Sequence, residues 1–132
     1  MRAAALHVPV YAYEFADRNA PLPSPLFASV EPALGAAHAT EIPYILASAE
    51  SVTEDFSADS ASLAGAMVRH WASFARNGDP NPSDGTLPMW ASFNDQGYLS
   101  LQAPAENSAR FSSLNGGASF DEDHNCAVWS GG

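Results

Sequence analysis

The chain has 132 residues, of which 46% are hydrophobic and 15% charged, so it has the size and composition of one folded domain rather than of a disordered chain. Five arginines and no lysine stand against fifteen acidic residues, and the net charge of -10 argues against nucleic-acid binding. No apolar run reaches the roughly 18–20 residues of a membrane span, and the first residues lack the sustained apolar core of a signal peptide.

The first predicted element is a strand over residues 8–15. Its residues are largely β-branched, aromatic or otherwise apolar on both faces, which is typical of a strand buried on both sides, as in a parallel sheet. A connecting segment follows the strand. Its four prolines disfavour a regular helix there; they are Pro21, Pro23, Pro25 and Pro32. We then expect a loop over Gly35–Thr40 and a short helix with Pro43 in its first turn.

A long helix is predicted from about Ser60 to Asn77. Its apolar side chains recur at helical spacing on one face, at Leu63, Met67, Trp71 and Phe74. Asp59 and Ser60 are candidate N-caps, and Gly78 suits the position just after the last turn.

The last third of the chain predicts two short extended pieces, Trp90–Phe93 and Tyr98–Leu101, followed by a polar tail and a closing helix over Cys126–Trp129. The three tryptophans are expected to anchor the core; they are Trp71, Trp90 and Trp129. One two-faced strand needs parallel neighbours and helices on both sides, and this chain supplies few of either. The sequence therefore resembles the end of a larger domain.

His38 is the candidate catalytic residue. It lies among small residues after a core strand, where its ring could approach a reacting group and act as a general base. The alternative is a loop histidine without a role. Glu41 is expected to be a local structural acid rather than a triad member. The nucleophile motif Gly-x-Ser-x-Gly is absent from the sequence, and Gly116–Phe120 is expected to be a flexible linker.

Two further groups of residues have weaker functional signals. Asp121–Cys126 offers oxygen, imidazole and thiol donors, but this mixture suits no single ion, so a solvated acidic turn is favoured over a metal site. His70 is expected to be a helix-surface or packing residue. Cys126 is the single cysteine, so it has no disulfide partner in the chain.

Several segments, taken in order, resemble one family. The segments are Pro9–Phe15, Gly35–Tyr44, Trp71–Asn81, Trp90–Phe93, Tyr98–Leu101 and Cys126–Trp129. The second contains Gly-Ala-Ala-His-Ala-Thr-Glu-Ile-Pro-Tyr, and the third contains Trp-Ala-Ser-Phe-Ala-Arg-Asn-Gly-Asp-Pro-Asn. Together they are similar to the C-terminal part of the type-B carboxylesterases, the family of the cholinesterases and the bacterial para-nitrobenzyl esterases.

The resemblance implies that residues 1–132 are the C-terminal portion of an α/β-hydrolase domain, an α/β fold, with His38 as the histidine of a Ser–His–acid triad. It implies no cofactor, a small-molecule carboxylic ester as substrate, and the N-terminal part of the same domain as partner. Cys126 aligns with a position that forms a disulfide in some secreted members. The chain departs from the family pattern at Ala39, where glycine is common, and at Ala91 and Phe93, where proline and tyrosine are usual.

The sequence and the resemblance leave three hypotheses about the function of the chain. In the first, the chain is a segment of a serine carboxylesterase that is inactive by itself, because the serine, the acid and the oxyanion-hole glycines belong to the missing part. In the second, the parent is a non-catalytic binding or adhesion relative, since this fold hosts both. In the third, the chain is a truncated gene product with no function of its own. The sequence leaves the compartment open.

Overall fold

The computed structural model describes residues 7–21, 35–46, 56–93, 97–105, 109–111 and 124–130. The elements in these ranges are β1 (Tyr13–Phe15), α1 (Ile42–Leu46), α2 (Ala58–Asn77), β2 (Tyr98–Leu101), β3 (Ala109–Phe111) and α3 (Cys126–Ser130). The strands form one sheet in the order β1-β2-β3, and α1 packs against α2. This mixture of helix and strand is consistent with the predicted α/β class. No helix in the described ranges is both long and apolar enough to cross a membrane.

The sheet combines parallel and antiparallel pairing. β1 and β2 run parallel, with Phe15 opposite Leu101, which confirms the expected parallel neighbour. β2 and β3 run antiparallel, with Ser100 opposite Ala109. Because side chains alternate along a strand, Phe15 and Leu101 lie on the face that packs against the helices. Glu14 and Ser100 lie on the opposite face.

The prediction of a first strand buried by apolar contacts on both faces is wrong. Tyr13 is 41% exposed, although it lies on the helix-covered face. On the other face, Glu14 is half-buried and its Oε1 lies 3.1 Å from Nε2 of His124. A polar contact therefore stands where the sequence pattern suggested an apolar one.

The first strand is also shorter than the predicted span of residues 8–15. The Val10 carbonyl accepts a hydrogen bond from the Phe93 N–H at 2.6 Å. The Ala12 carbonyl accepts one from the Leu99 N–H of β2 at 3.0 Å and a second from the Trp90 indole N–H at 2.9 Å. The bonding to β2 therefore reaches back to Ala12, whereas Val10 bonds to an irregular segment, so no regular ladder extends to residue 8.

Trp90–Phe93, predicted as one of two short extended pieces, is not a strand of the sheet. The Asn81 side chain takes the place of a strand neighbour, because its Oδ1 accepts the Trp90 N–H at 2.8 Å and its Nδ2 donates to the Trp90 carbonyl at 2.8 Å. Tyr98–Leu101 does form a strand, but its partners are β1 and β3. The strand β3 lies in the polar tail, where the sequence pattern predicts no element.

The long helix α2 agrees with its prediction except at its first turn. Its N-cap is Ser57, whose Oγ accepts the Ser60 N–H at 3.0 Å, so the candidates Asp59 and Ser60 are wrong. Both candidates lie inside the first turn instead. At the other end Gly78 has φ 71° and donates its N–H to the Phe74 carbonyl at 2.8 Å, as expected of a glycine after a helix.

The core lies between the helices and one face of the sheet. Its buried apolar members are Ala20, Tyr44, Leu63, Met67, Trp90, Leu99 and Leu101. Trp90 is 5% exposed and Trp71 packs at the edge of this cluster, as expected of anchoring tryptophans. For Trp129 the prediction is wrong, because its ring is 86% exposed. It lies on the five-residue helix α3 and outside the core cluster of the described residues.

Several predictions fall on parts of the chain that the structure does not describe. Those outside the described ranges are the prolines Pro23, Pro25 and Pro32, the linker Gly116–Phe120 and the acidic residues Asp121–Asp123.

Candidate functional site

The predicted histidine loop is a tight turn that leads into α1. The Gly35 carbonyl accepts the Ala37 N–H at 2.9 Å. The Ala37 carbonyl accepts the Thr40 N–H at 3.2 Å and the Thr40 hydroxyl at 2.7 Å. His38 and Ala39 are therefore the two central residues of a hydrogen-bonded turn. Ala39 has φ 71°, a left-handed conformation that is unfavourable for alanine.

The His38 side chain is exposed. Among the described residues, no hydrogen bond or ion pair involves its ring. A proton carrier needs an open approach for the reacting group, and the small side chains of Ala37 and Ala39 flank that approach. The turn thus presents an accessible imidazole, and the role of His38 as catalytic base stays a prediction.

The beginning of the turn lies against the chain that follows β1. A Cβ atom built on Gly35 would be 3.5 Å from the Arg18 carbonyl oxygen and 3.6 Å from the Arg18 Cα. These are ordinary contact distances, so the positive φ of 56° is what favours glycine here. The contact places the turn directly beside the end of β1.

Asp17 is a buried carboxylate that sequence reasoning missed. It is 2% exposed and lies two residues beyond β1. Its Oδ2 accepts hydrogen bonds from the Tyr44 hydroxyl at 2.6 Å and from the Ser60 hydroxyl at 2.9 Å. Its Oδ1 accepts the Asn19 N–H at 2.9 Å. These three donors offset the cost of burying the carboxylate. The available signal was an acidic residue just after an apolar strand.

Tyr44 connects this carboxylate to the helix that follows the histidine turn. It is 1% exposed, and its ring lies 4.9 Å from that of Phe15 and 4.5 Å from that of Phe56. Burial, and then the hydrogen bond to Asp17, raise the pKa of the Tyr44 hydroxyl. The hydroxyl is therefore a proton-bearing donor at neutral pH.

Glu41 lies between the turn and α1. Its carbonyl accepts the Tyr44 N–H at 3.0 Å, which continues the turn into the helix. Burial, and then the charge of Glu41, raise the pKa of Tyr13, the first residue of β1. No ion pair joins Glu41 to His38 within the described ranges.

His70 is a packing residue, one of the two roles expected for it. It is 1% exposed, its Nδ1 lies 2.8 Å from the Pro80 carbonyl oxygen, and its ring meets that of Trp90 edge-on at 5.5 Å. Burial lowers its pKa. The buried ring is thus held neutral within the core.

The described part of the acidic tail begins at His124, which pairs with Glu14 as given above. No group of three or more potential metal ligands occurs among the described residues. Cys126 is a free, half-buried thiol. Because Asp121–Asp123 lie outside these residues, the solvated acidic turn stays a prediction.

Comparison with known proteins adds to these observations. The model of the carboxylesterase family matches residues 1–128. Acylcarnitine hydrolase of Mus musculus is 41% identical over 98 residues, which are 72% of this chain and 16% of the relative. Cocaine esterase of Homo sapiens is 37% identical over 95 residues, 70% of this chain and 16% of the relative. Bile salt-activated lipase of Homo sapiens is 28% identical over 116 residues, 86% of this chain and 15% of the relative.

The chain therefore spans only a small part of the length of these curated relatives. The family match nevertheless extends over nearly all of the sequence and includes the histidine turn and α2. On this evidence the chain belongs to the carboxylesterase family, whose fold is the α/β-hydrolase fold.

Proposed function

We propose that the chain is the C-terminal segment of a serine carboxylic-ester hydrolase and that His38 is the histidine of its Ser–His–acid triad. The observation that supports this most directly is the position of His38 in a turn closed by two hydrogen bonds, with its ring exposed. A turn held in this way keeps an imidazole in one place while leaving it open to a nucleophile on another part of the domain.

In the proposed reaction, His38 takes the proton from the serine hydroxyl as the serine oxygen attacks the ester carbonyl carbon. It then donates that proton to the alcohol oxygen as the carbon–oxygen bond breaks, which leaves an acyl-serine. A water molecule then attacks the acyl carbon while His38 takes its proton. His38 returns that proton to the serine oxygen as the acyl–serine bond breaks, which releases the carboxylic acid and restores the serine. No cofactor is needed for these steps.

The same proposal holds that the chain is inactive by itself. General base catalysis contributes roughly 10²–10⁴ in rate, and only for a nucleophile within hydrogen-bond reach. The sequence contains no Gly-x-Ser-x-Gly motif to supply that nucleophile. The serine, the acid and the oxyanion hole would come from the N-terminal part of the domain.

Exposed apolar surface supports a partner of this kind. A groove of about 340 Å³ lies beside β1 and is lined largely by aromatic rings, including those of Tyr11, Tyr13, Trp71, Phe74 and Trp90. The side chains of Val128 and Trp129 are 75% and 86% exposed. We assign this exposed apolar surface to contact with the N-terminal part of the same domain.

The test is a graft in which residues 1–132 replace the matching segment of mouse acylcarnitine hydrolase. We expect the graft to hydrolyse a para-nitrophenyl ester. His38→Gln should lower kcat by at least about 10⁴-fold, since loss of the triad histidine alone costs about 10⁶ in subtilisin. The matched control is His7→Gln, an exposed histidine outside the turn, which should leave kcat unchanged.

A His38→Gln graft that keeps its activity would refute the proposal. If the long graft does not fold, a second graft that transfers only residues 35–46 tests the same role within the relative's own framework. Loss of activity in that folded second graft, with His38 present, would also count against it. The isolated chain should hydrolyse the ester no faster than free imidazole, and a faster rate that disappears with His38→Ala would contradict the predicted inactivity.

A further inference from the structure

The chain before the histidine turn and the chain after it each contact one of two adjacent residues that follow β1. Gly35, at the start of the turn, lies against the Arg18 main chain. Tyr44, in the helix that follows the turn, bonds to the Asp17 carboxylate at 2.6 Å. His38 lies between these two attachments in sequence. Its position relative to the sheet therefore depends on residues 17 and 18.

Asp17 is itself held by the start of α2. The Ser60 hydroxyl donates to the same Oδ2 at 2.9 Å, and the Ser57 hydroxyl donates to the Ser60 oxygen at 3.0 Å. Asp17 and Ser60 are 2% and 0% exposed. One buried carboxylate thus ties together the end of β1, the helix α1 and the first turn of α2.

We propose that Asp17 is a positioning residue for His38, acting through Tyr44 and α1. The inference rests on the proposed catalytic role of His38. Moving a catalytic group by about 1 Å can cost about 100-fold in rate, so the attachment of α1 matters even though Asp17 is not a catalytic residue.

The geometry argues that Asp17 is not the acid of the triad. That acid would accept a hydrogen bond from the histidine ring. Both oxygens of Asp17 already accept bonds from Tyr44, Ser60 and Asn19. None of these bonds involves His38.

The test uses Tyr44→Phe, which removes one donor but keeps the buried ring and leaves Asp17 with its other two bonds. The control is Tyr11→Phe, whose ring packs against Phe74 and Trp90, and whose hydroxyl has no bond to Asp17. Amide hydrogen exchange of the full chain is one readout. We expect Tyr44→Phe to speed exchange of the backbone amides at positions 40 and 44 by about 10-fold, and Tyr11→Phe to leave it unchanged.

Esterase kinetics of the graft are the second readout. Active sites are first counted by titration with a reagent that acylates the serine. We expect Tyr44→Phe to lower kcat per titrated site by about 10–100-fold with KM unchanged. A residue that only supported folding would lower the number of titrated sites instead, so the two roles are separable. Asp17→Asn should give a loss of the same kind.

The outcomes distinguish the two proposals. Unchanged kcat per site in Tyr44→Phe, in a graft that His38→Gln inactivates, would overturn the positioning role alone. Unchanged amide exchange in the turn would overturn it as well. Retained activity in His38→Gln would overturn the catalytic role of His38, and the positioning role with it. Faster exchange together with lower kcat per site would support the proposal.

Discussion

Ala39, immediately after His38, is the residue at which a single substitution should stabilise the turn. It has φ 71°, which costs a residue with a Cβ roughly 1–2 kcal/mol. Ala39→Gly removes that strain but adds freedom to the unfolded chain, worth about 0.5–1 kcal/mol. The net expectation is a gain of about 0.5–1 kcal/mol in the free energy of unfolding.

Ala37→Gly is the matched control, two residues away in the same turn. Among the described non-glycine residues only Ala39 and Asn125 have positive φ, so Ala37 has no such strain to release. Here the same change should cost about 0.5–1 kcal/mol. Urea denaturation followed by tryptophan fluorescence measures both free energies, and exchange of the Thr40 amide reports on the turn itself. Changes of the same sign in the two variants would refute the reasoning.

Two further predictions concern α2. Ser57→Ala should lower the free energy of unfolding by about 0.5–2 kcal/mol, because it removes the acceptor for the Ser60 N–H. Asp59→Ala should lower it less in the same urea titration. A larger loss for Asp59→Ala would contradict the assignment of Ser57 as the N-cap. Burial lowers the pKa of His70 below its ordinary value of 6.5, so the unfolded state binds that proton more tightly and stability falls as the pH drops below about 6.5. His70→Phe should therefore flatten the dependence of unfolding free energy on pH between about 7 and about 5, and an unchanged slope would show that another group causes it.

The histidine turn was accessible to prediction because its determinants are local. Gly35 takes a positive φ, and the Thr40 hydroxyl bonds three residues back, which are preferences of the residue types themselves. The end of α2 at Gly78 is local in the same sense. The start of α2 was predicted less well, since Ser57, Asp59 and Ser60 are all plausible caps by residue type.

Non-local contacts account for the larger errors. The partner of the second strand depends on which distant segment reaches its edge, and Leu101 pairs with Phe15 from near the start of the chain. Trp90–Phe93 has strand-like composition, but the Asn81 side chain occupies the backbone groups of Trp90. Propensity cannot show such competition.

Asp17 shows the same limit at the candidate site. Its residue type and position after a strand favour a solvent-exposed turn. Asp17 is a buried acceptor only because Tyr44 and Ser60, which belong to two later helices, pack against it and donate hydrogen bonds to its carboxylate. A buried carboxylate is recognised by its hydrogen-bond donors. Because the donors to Asp17 are far apart in the sequence, no local pattern predicts its burial.

The contact between Asn81 and Trp90 bears on the chemical ageing of the protein. Deamidation would convert the Asn81 amide to a carboxylate, which cannot donate to the Trp90 carbonyl and would instead repel it. The common route to this damage requires attack by the backbone nitrogen of the next residue, which here is Pro82 and carries no N–H. The side chain that stands in for a strand neighbour is therefore shielded, by its own sequence context, from the modification that would disrupt the contact.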